Sequence, residues 1–301
     1  LTLISATAGA GKTTLLTEWQ LTLAANQLSL AWVSLDEHDN DLVRFWSYVI
    51  TALQTIQPRI GASARLSLDS MSLPNLSAPR DESAWIESAL TSLINDIALA
   101  PQHLALVLDD YHSIELIIIH DSVTFLLDHL PPNLHLIIAS REDPPLPLAR
   151  LRARDQMIEL RSADLRFTPD EVAAFFDEVM GLPLTYQDAS AIEARTEGWV
   201  AGLQMAALAL REQPDPPQFI ASFTGSHHFV MDYLIGEVLQ RQTKEIQIFL
   251  LQTSVLGRLN GALCDAVTDR TDSQTALEEL DASNLFIVSL DDERRWYRYH
   301  H

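Results

Sequence analysis

The chain has 301 residues, 47% hydrophobic and 20% charged, with a formal net charge of −21. The length suits about two domains, with three small ones possible, and the acidity excludes a chain that holds nucleic acid through a basic face. The one cysteine, Cys264, excludes an internal disulfide and is expected to be a small buried apolar residue in a reducing cytoplasm.

The first fourteen residues organise the rest. An apolar run, Leu1 to Ser5, leads into the small-residue loop Ala6-Thr7-Ala8-Gly9-Ala10-Gly11. Lys12-Thr13-Thr14 comes next and opens a helical pattern. Strand, loop and helix in that order are the context of a phosphate-binding loop. Backbone amides of Ala8 to Thr14 are expected at the phosphates, Lys12 at the β- and γ-phosphates, and Thr13 at Mg²⁺. Ala6 departs from the usual pattern, which has glycine there, and alanine serves only at negative φ. The chain has just two lysines, Lys12 and Lys244, which speaks against an incidental lysine in a turn.

A second buried strand is expected at Leu30–Leu35, then a polar turn with Asp41 capping the helix that starts at Leu42. Residues 57–80, rich in Ser, Pro and Ala, suggest a long and partly irregular connection. Glu82–Leu99 is amphipathic and helical. Leu104–Asp110 then delivers two carboxylates at the end of an apolar strand, the form of a Walker B segment. Asp109 is expected to hold Mg²⁺ through water, and Asp110 to orient or deprotonate an attacking water. A helix from about Asp121 to Leu130 and a fourth strand, Leu134–Ala139, lead to Arg141. Arg141 either senses a γ-phosphate or pairs with Glu142 or Asp143 at the surface. A short helix, Leu148–Arg154, precedes a fifth strand at Met157–Leu160. The arginine-rich stretch 141–166 is interleaved with carboxylates and is expected to form a salt-bridged face. Strands separated by helical crossovers imply an α/β P-loop fold with a five-stranded parallel sheet, whose ligands bind at strand C-terminal ends.

Beyond Leu160 the pattern turns helical. Thr168-Pro169-Asp170-Glu171 is a helix start with a capping box. Helices are expected over 172–179, 186–196 and 200–210, a Pro-rich linker over 212–217, and further helices at 229–239, 244–254 and 276–284. Leu285–Leu290 and Trp296–Tyr299 complete a hairpin. The expected domains are therefore a nucleotide-binding domain at 1–162, a helical lid at 163–213 and a winged helix at 218–301. The start in a strand and the stop at His301 are expected of a fragment. His227-His228 and His300-His301 are rejected as metal sites, because adjacent histidines in a strand face opposite ways. The run 114–130 is broken by charges and cannot cross a bilayer, and no signal peptide is visible.

These residues in combination resemble the ATPase module of MalT-like regulators, the large ATP-dependent LuxR-type transcription factors of the STAND class. The matching stretches are Ile4–Leu15, Val107–His112, Ile138–Pro145, Leu148–Arg154, Glu159–Arg161, Asp164–Thr168, Glu197-Gly198-Trp199 and Tyr297–His301. The resemblance implies a nucleotide-binding domain, helical lid and winged helix closed around ADP at rest. It also implies an unknown small-molecule inducer that, with ATP, opens a self-associating form. Helical repeats and a DNA-binding helix-turn-helix would lie elsewhere in the polypeptide, so direct nucleic-acid binding is not expected of this chain. By the same resemblance His300 contacts the ADP phosphate; a buried structural histidine is the equal alternative. Gly202-Leu203-Gln204 stands where relatives often carry Gly-Leu-Pro near adenine, and Gln204 departs from that.

Three functions compete: a cytoplasmic nucleotide switch with slow ATP hydrolysis, a P-loop small-molecule kinase, and an interaction module whose nucleotide is only structural. A kinase needs a compact acceptor lid over the sheet, in place of a long helical and winged-helix tail.

Overall fold

The structure, a computed structural model, describes residues 1–25, 29–71, 82–211, 218–220, 223, 228–285, 287–291 and 293–299. Two compact units emerge. The first takes Leu1–Ser5 and Lys12–Leu160; the second takes the loop Ala6–Gly11 together with Arg161–His301.

The first unit is built on a parallel sheet of β1 (Thr2–Ser5), β2 (Ser29–Ser34), β3 (Leu104–Asp109), β4 (Leu134–Ser140) and β5 (Ile158–Arg161), in the order β2-β3-β4-β1-β5. β1 and β3 are buried at every position. Strands covered on both faces have no need of polar alternation, which is why they read as continuous apolar runs. The register pairs Ser5 with Ser140 and Ser34 with Asp109, so these strands finish at one edge. Helices α1 (Lys12–Ala25), α2 (Leu42–Ile56), α3 (Ala62–Met71), α4 (Glu82–Ala98), α5 (Ile117–Asp128) and α6 (Leu148–Ala153) accompany the sheet. Asp41 caps α2 as expected, accepting from the Arg44 amide at 2.7 Å. Phe45, Trp46, Val49, Ile50 and Leu53 form the buried stripe of α2, and the Trp46 indole donates to Ser122 Oγ at 2.9 Å.

The connection expected to be irregular holds a helix instead. Ala64 and Leu68, and Ile60 in the turn just before the helix, are each 1% exposed, so α3 is held by this apolar stripe despite a serine-rich sequence. Residues 72–81 of the same stretch lie outside the described ones. The helix expected from about Asp121 begins earlier, at Ile117.

The second unit has two separate apolar cores. One gathers Val172, Phe176, Ala189, Ile192, Leu203, Ala206 and Leu210 from α7 (Pro169–Ala174), α8 (Tyr186–Thr196), α9 (Val200–Leu210) and the π-helical turn Phe175–Val179. The capping box of α7 is present: Thr168 Oγ1 accepts from the Glu171 amide and the Glu171 carboxylate accepts from the Thr168 amide. The other core gathers Phe249, Leu259, Cys264, Leu277, Leu280 and Tyr297. It is made by helices Lys244–Thr253, Gly261–Thr268 and Ser273–Ala282 and by the antiparallel hairpin β6 (Ile287–Ser289) and β7 (Tyr297–Tyr299). The helix at 261–268 was not expected, although Asn260 signals it by accepting from the Leu263 amide at 2.8 Å. Cys264 is fully buried, and burial raises its thiol pKa. Among the described residues no helix is long and apolar enough to cross a membrane.

Candidate functional site: the phosphate loop

The loop Ala6–Gly11 turns with Gly9 at φ +70° and Gly11 at φ +85°, where a Cβ would strain the backbone. Ala6 is not among the positive-φ residues, so alanine costs nothing at that position. The Ala10 amide closes a turn on Thr7 O at 3.3 Å. Within the second unit, the Trp199 indole N–H donates to Ala8 O at 2.9 Å and the Ala201 amide donates to Gly9 O at 3.1 Å.

The side chains described next belong to the first unit. Lys12 begins α1 and is only 7% exposed. Burial chiefly, and then the neighbouring Arg141 charge, bring its pKa down from 10.5 to about 8, against the pull of Asp110 and Asp109. Arg141 therefore shares the electrostatic environment of Lys12, beyond the strand that ends at Ser140. Thr13 Oγ1 donates to Asp109 Oδ2 at 3.0 Å, across 96 residues of sequence. That contact joins the loop–helix motif to the Walker B strand. Asp109 is buried and also accepts from the Asp110 amide at 3.0 Å. Burial and the Asp110 charge push its pKa up, while these two hydrogen bonds pull it down.

Asp110 takes the left-handed conformation, φ +56°, which turns the chain out of β3 into the short helix Tyr111–Ser113. Its carboxylate lies 3.8 Å from His112 Nδ1. The turn is fastened from two sides. Tyr111 Oη and His120 Nδ1 are 3.0 Å apart inside the core. Asn40 donates to Ser113 O and accepts from the Glu115 and Leu116 amides. The sequence does not single out Asn40; its position in a polar turn beside Asp41 is the one available signal. The arginine-rich stretch forms the expected ion pairs, Arg150 with Asp128 and Arg152 with Glu159 and Asp143.

Trp199 is visible in the sequence only as part of Glu197-Gly198-Trp199, with nothing to tie it to the loop. Glu197 has φ +50° and joins Arg298 at 2.7 Å and Arg166 at 3.4 Å. His300, His301 and His227 lie outside the described residues.

The loop and strand chemistry suit a nucleotide phosphate and its magnesium ion. A largely buried lysine stands at the start of α1, near the Asp109 and Asp110 charges, and the Thr13 hydroxyl lies on the strand-end carboxylate of Asp109.

Residues 235–301 match the MalT winged helix domain. The chain is 39% identical over its whole length to the HTH-type transcriptional regulator MalT of Serratia proteamaculans, covering 32% of that protein. It is 37% identical, with the same coverage, to MalT of Klebsiella pneumoniae. The chain thus spans about a third of the length of the curated relatives it matches. A Walker-type ATPase of Pyrococcus abyssi has a similar fold, with a TM-score of 0.62 over 99% of this chain and 88% of that one, at 14% identity. The chain is thus homologous to the MalT regulators over the third of their length that it spans, its own fold is that of a P-loop ATPase, and its C-terminal part matches the MalT winged helix domain.

Proposed function

We propose that the chain is the nucleotide-binding switch module of a MalT-like transcriptional regulator, binding ADP and ATP and hydrolysing ATP slowly. The observation that carries this is the Thr13–Asp109 hydrogen bond next to a lysine that the fold has desolvated. A P-loop kept only as a relic has no reason to hold a charged lysine out of water.

In this reading the amides of Ala8, Gly9 and Gly11 to Thr14 receive the phosphates, the Ala10 amide being turned to Thr7 O, and Lys12 neutralises their charge. Thr13 and Asp109 would hold Mg²⁺, which supplies charge neutralisation at the transferred phosphoryl group. Asp110 orients or deprotonates the attacking water, and its left-handed backbone sends its carboxylate along a different path from that of Asp109. Arg141, sharing the field of Lys12, senses the γ-phosphate. His300 is proposed as an ADP contact by resemblance to the family. The two cores of the second unit support dividing it into a helical lid at 163–213 and a winged helix at 218–301. Differential contacts with ADP and ATP would bias two arrangements, the ATP form self-associating in answer to a small-molecule inducer. The helical repeats and DNA-binding helix-turn-helix of the regulator are proposed to lie in the remaining two-thirds of its relatives' length.

Thermal unfolding with Mg-ADP, Mg-ATP or neither, on the chain and on Lys12→Ala, tests this. Ligand at about a hundred times its Kd adds roughly 2.7 kcal/mol, a rise of several degrees. A rise in the parent that Lys12→Ala abolishes is the expected result. No rise in the folded parent would overturn the reading.

A further inference from the structure

Two carbonyl groups of the phosphate loop, Ala8 O and Gly9 O, are held by donors from one short stretch of the second unit, Trp199 Nε1 and the Ala201 amide. A trans peptide is planar, with its C=O and N–H on opposite sides. Fixing Ala8 O against the indole therefore turns the Gly9 N–H to the opposite side of the loop, away from Trp199. Among the described residues no protein acceptor takes that amide. The Ala10 amide, on the next plane, is already turned toward Thr7 O.

The indole is itself fixed on several sides. It packs edge-to-face on Tyr233, with centroids 5.5 Å apart. A Cβ added at Gly202 would come within 2.8 Å of its Cε3, so the ring lies flush on α9. Gly198, at φ +69°, is pressed against the Phe167 backbone, where a Cβ would lie 2.5 Å from the carbonyl oxygen. The fit extends to the loop: a Cβ on Gly9 would stand 2.5 Å from Ala201 Cβ, 2.8 Å from Tyr233 Oη and 3.3 Å from Trp199 Cζ2. Gly9 is thus required by this close approach as well as by its φ.

We infer that Trp199 is a positioning residue of the phosphate site: its N–H sets the Ala8–Gly9 peptide plane so that the Gly9 amide is presented to a nucleoside di- or triphosphate. This rests on the nucleotide-switch reading above. Without the indole donor the plane is free to rotate, and the amide spends part of its time turned from the phosphate. A bound phosphate and the Trp199 hydrogen bond then strengthen each other, since both select the same orientation of one peptide.

The test is Trp199→Phe, which keeps an aromatic ring and deletes the donor, compared with the parent and with Lys12→Ala. ADP affinity is measured by calorimetry, and the chain's ten glycine amides are followed with ¹⁵N-glycine labelling. The expected result is an ADP affinity about tenfold lower, the worth of one hydrogen bond to a charged ligand. The Gly9 resonance should move in the ligand-free protein and lose most of its response to ADP, while Gly61 and Gly181 stay in place. An ADP affinity within twofold of the parent overturns the inference, whatever happens to the melting temperature. So does a disturbance spread equally over Gly9, Gly61 and Gly181, which marks general loosening. If Lys12→Ala binds ADP as the parent does, the nucleotide reading itself falls; if only Trp199→Phe does, that reading stands without the positioning role.

Discussion

Lys12 is held charged at neutral pH in a place that disfavours its charge, and this predicts an unusual mutant. The gap between 10.5 and about 8, at about 1.4 kcal/mol per pH unit, is roughly 3 kcal/mol of stability forgone below pH 8. Between these two values the unfolded chain binds more protons than the folded one, so stability rises with pH across the window. Lys12→Met keeps the length and apolar stem of the side chain and removes the ammonium. Without nucleotide it should be more stable than the parent at neutral pH by about 2 to 3 kcal/mol. The advantage should shrink as pH rises through 8 and be nearly gone at about pH 10.5. Urea denaturation of both proteins across that range reads the effect. Saturating Mg-ADP should then narrow or reverse the ranking, because only the parent has a cation for the phosphates. A variant less stable than the parent at neutral pH, or an advantage that does not change with pH, would refute the reasoning.

The other predictions concern chemistry, linkage and the second unit. Asp110→Asn should lower steady-state ATP hydrolysis by a factor of roughly 10² to 10⁴ while ADP affinity stays within severalfold; asparagine tolerates the left-handed backbone, so the fold is retained. Hydrolysis at the parental rate would remove Asp110 from the chemistry, and no hydrolysis by the parent would favour a non-catalytic module. Nucleotide affinity should fall as pH rises through about 8, by up to tenfold per pH unit, as Lys12 loses its proton, and titrations in matched buffers would show it. Glu197→Gln weakens both ion pairs of a carboxylate only 11% exposed and should cost about 1 to 3 kcal/mol in denaturant unfolding. Gly198→Ala should cost at least as much, since neither its φ nor the Phe167 carbonyl leaves room for a methyl group.

The legibility of this protein in its sequence divides along the range of the interactions. The strand–loop–helix order at the start of the chain, the apolar strand that ends in Asp109, the cap at Asp41, the Thr168 box and the five strands are each written in windows of a few residues. Their causes are local: apolar run length, the spacing of small residues, and a side chain that can reach a backbone amide two or three positions on. Where a local signal is weak the expectation fails, as at α3, whose stripe of Ala64 and Leu68 is diluted by serines, and at 261–268. No window contains the distant segment that a group meets. Thr13 meets Asp109 96 residues away, Glu197 meets Arg298 101 residues away, and Trp199 meets Ala8 191 residues away. The left-handed turn at Asp110 likewise depends on Asn40 and His120 fastening the short helix Tyr111–Ser113 after it. Composition and periodicity specify which faces must be buried and which groups need partners, whereas the identity of each partner is decided only once whole elements have packed.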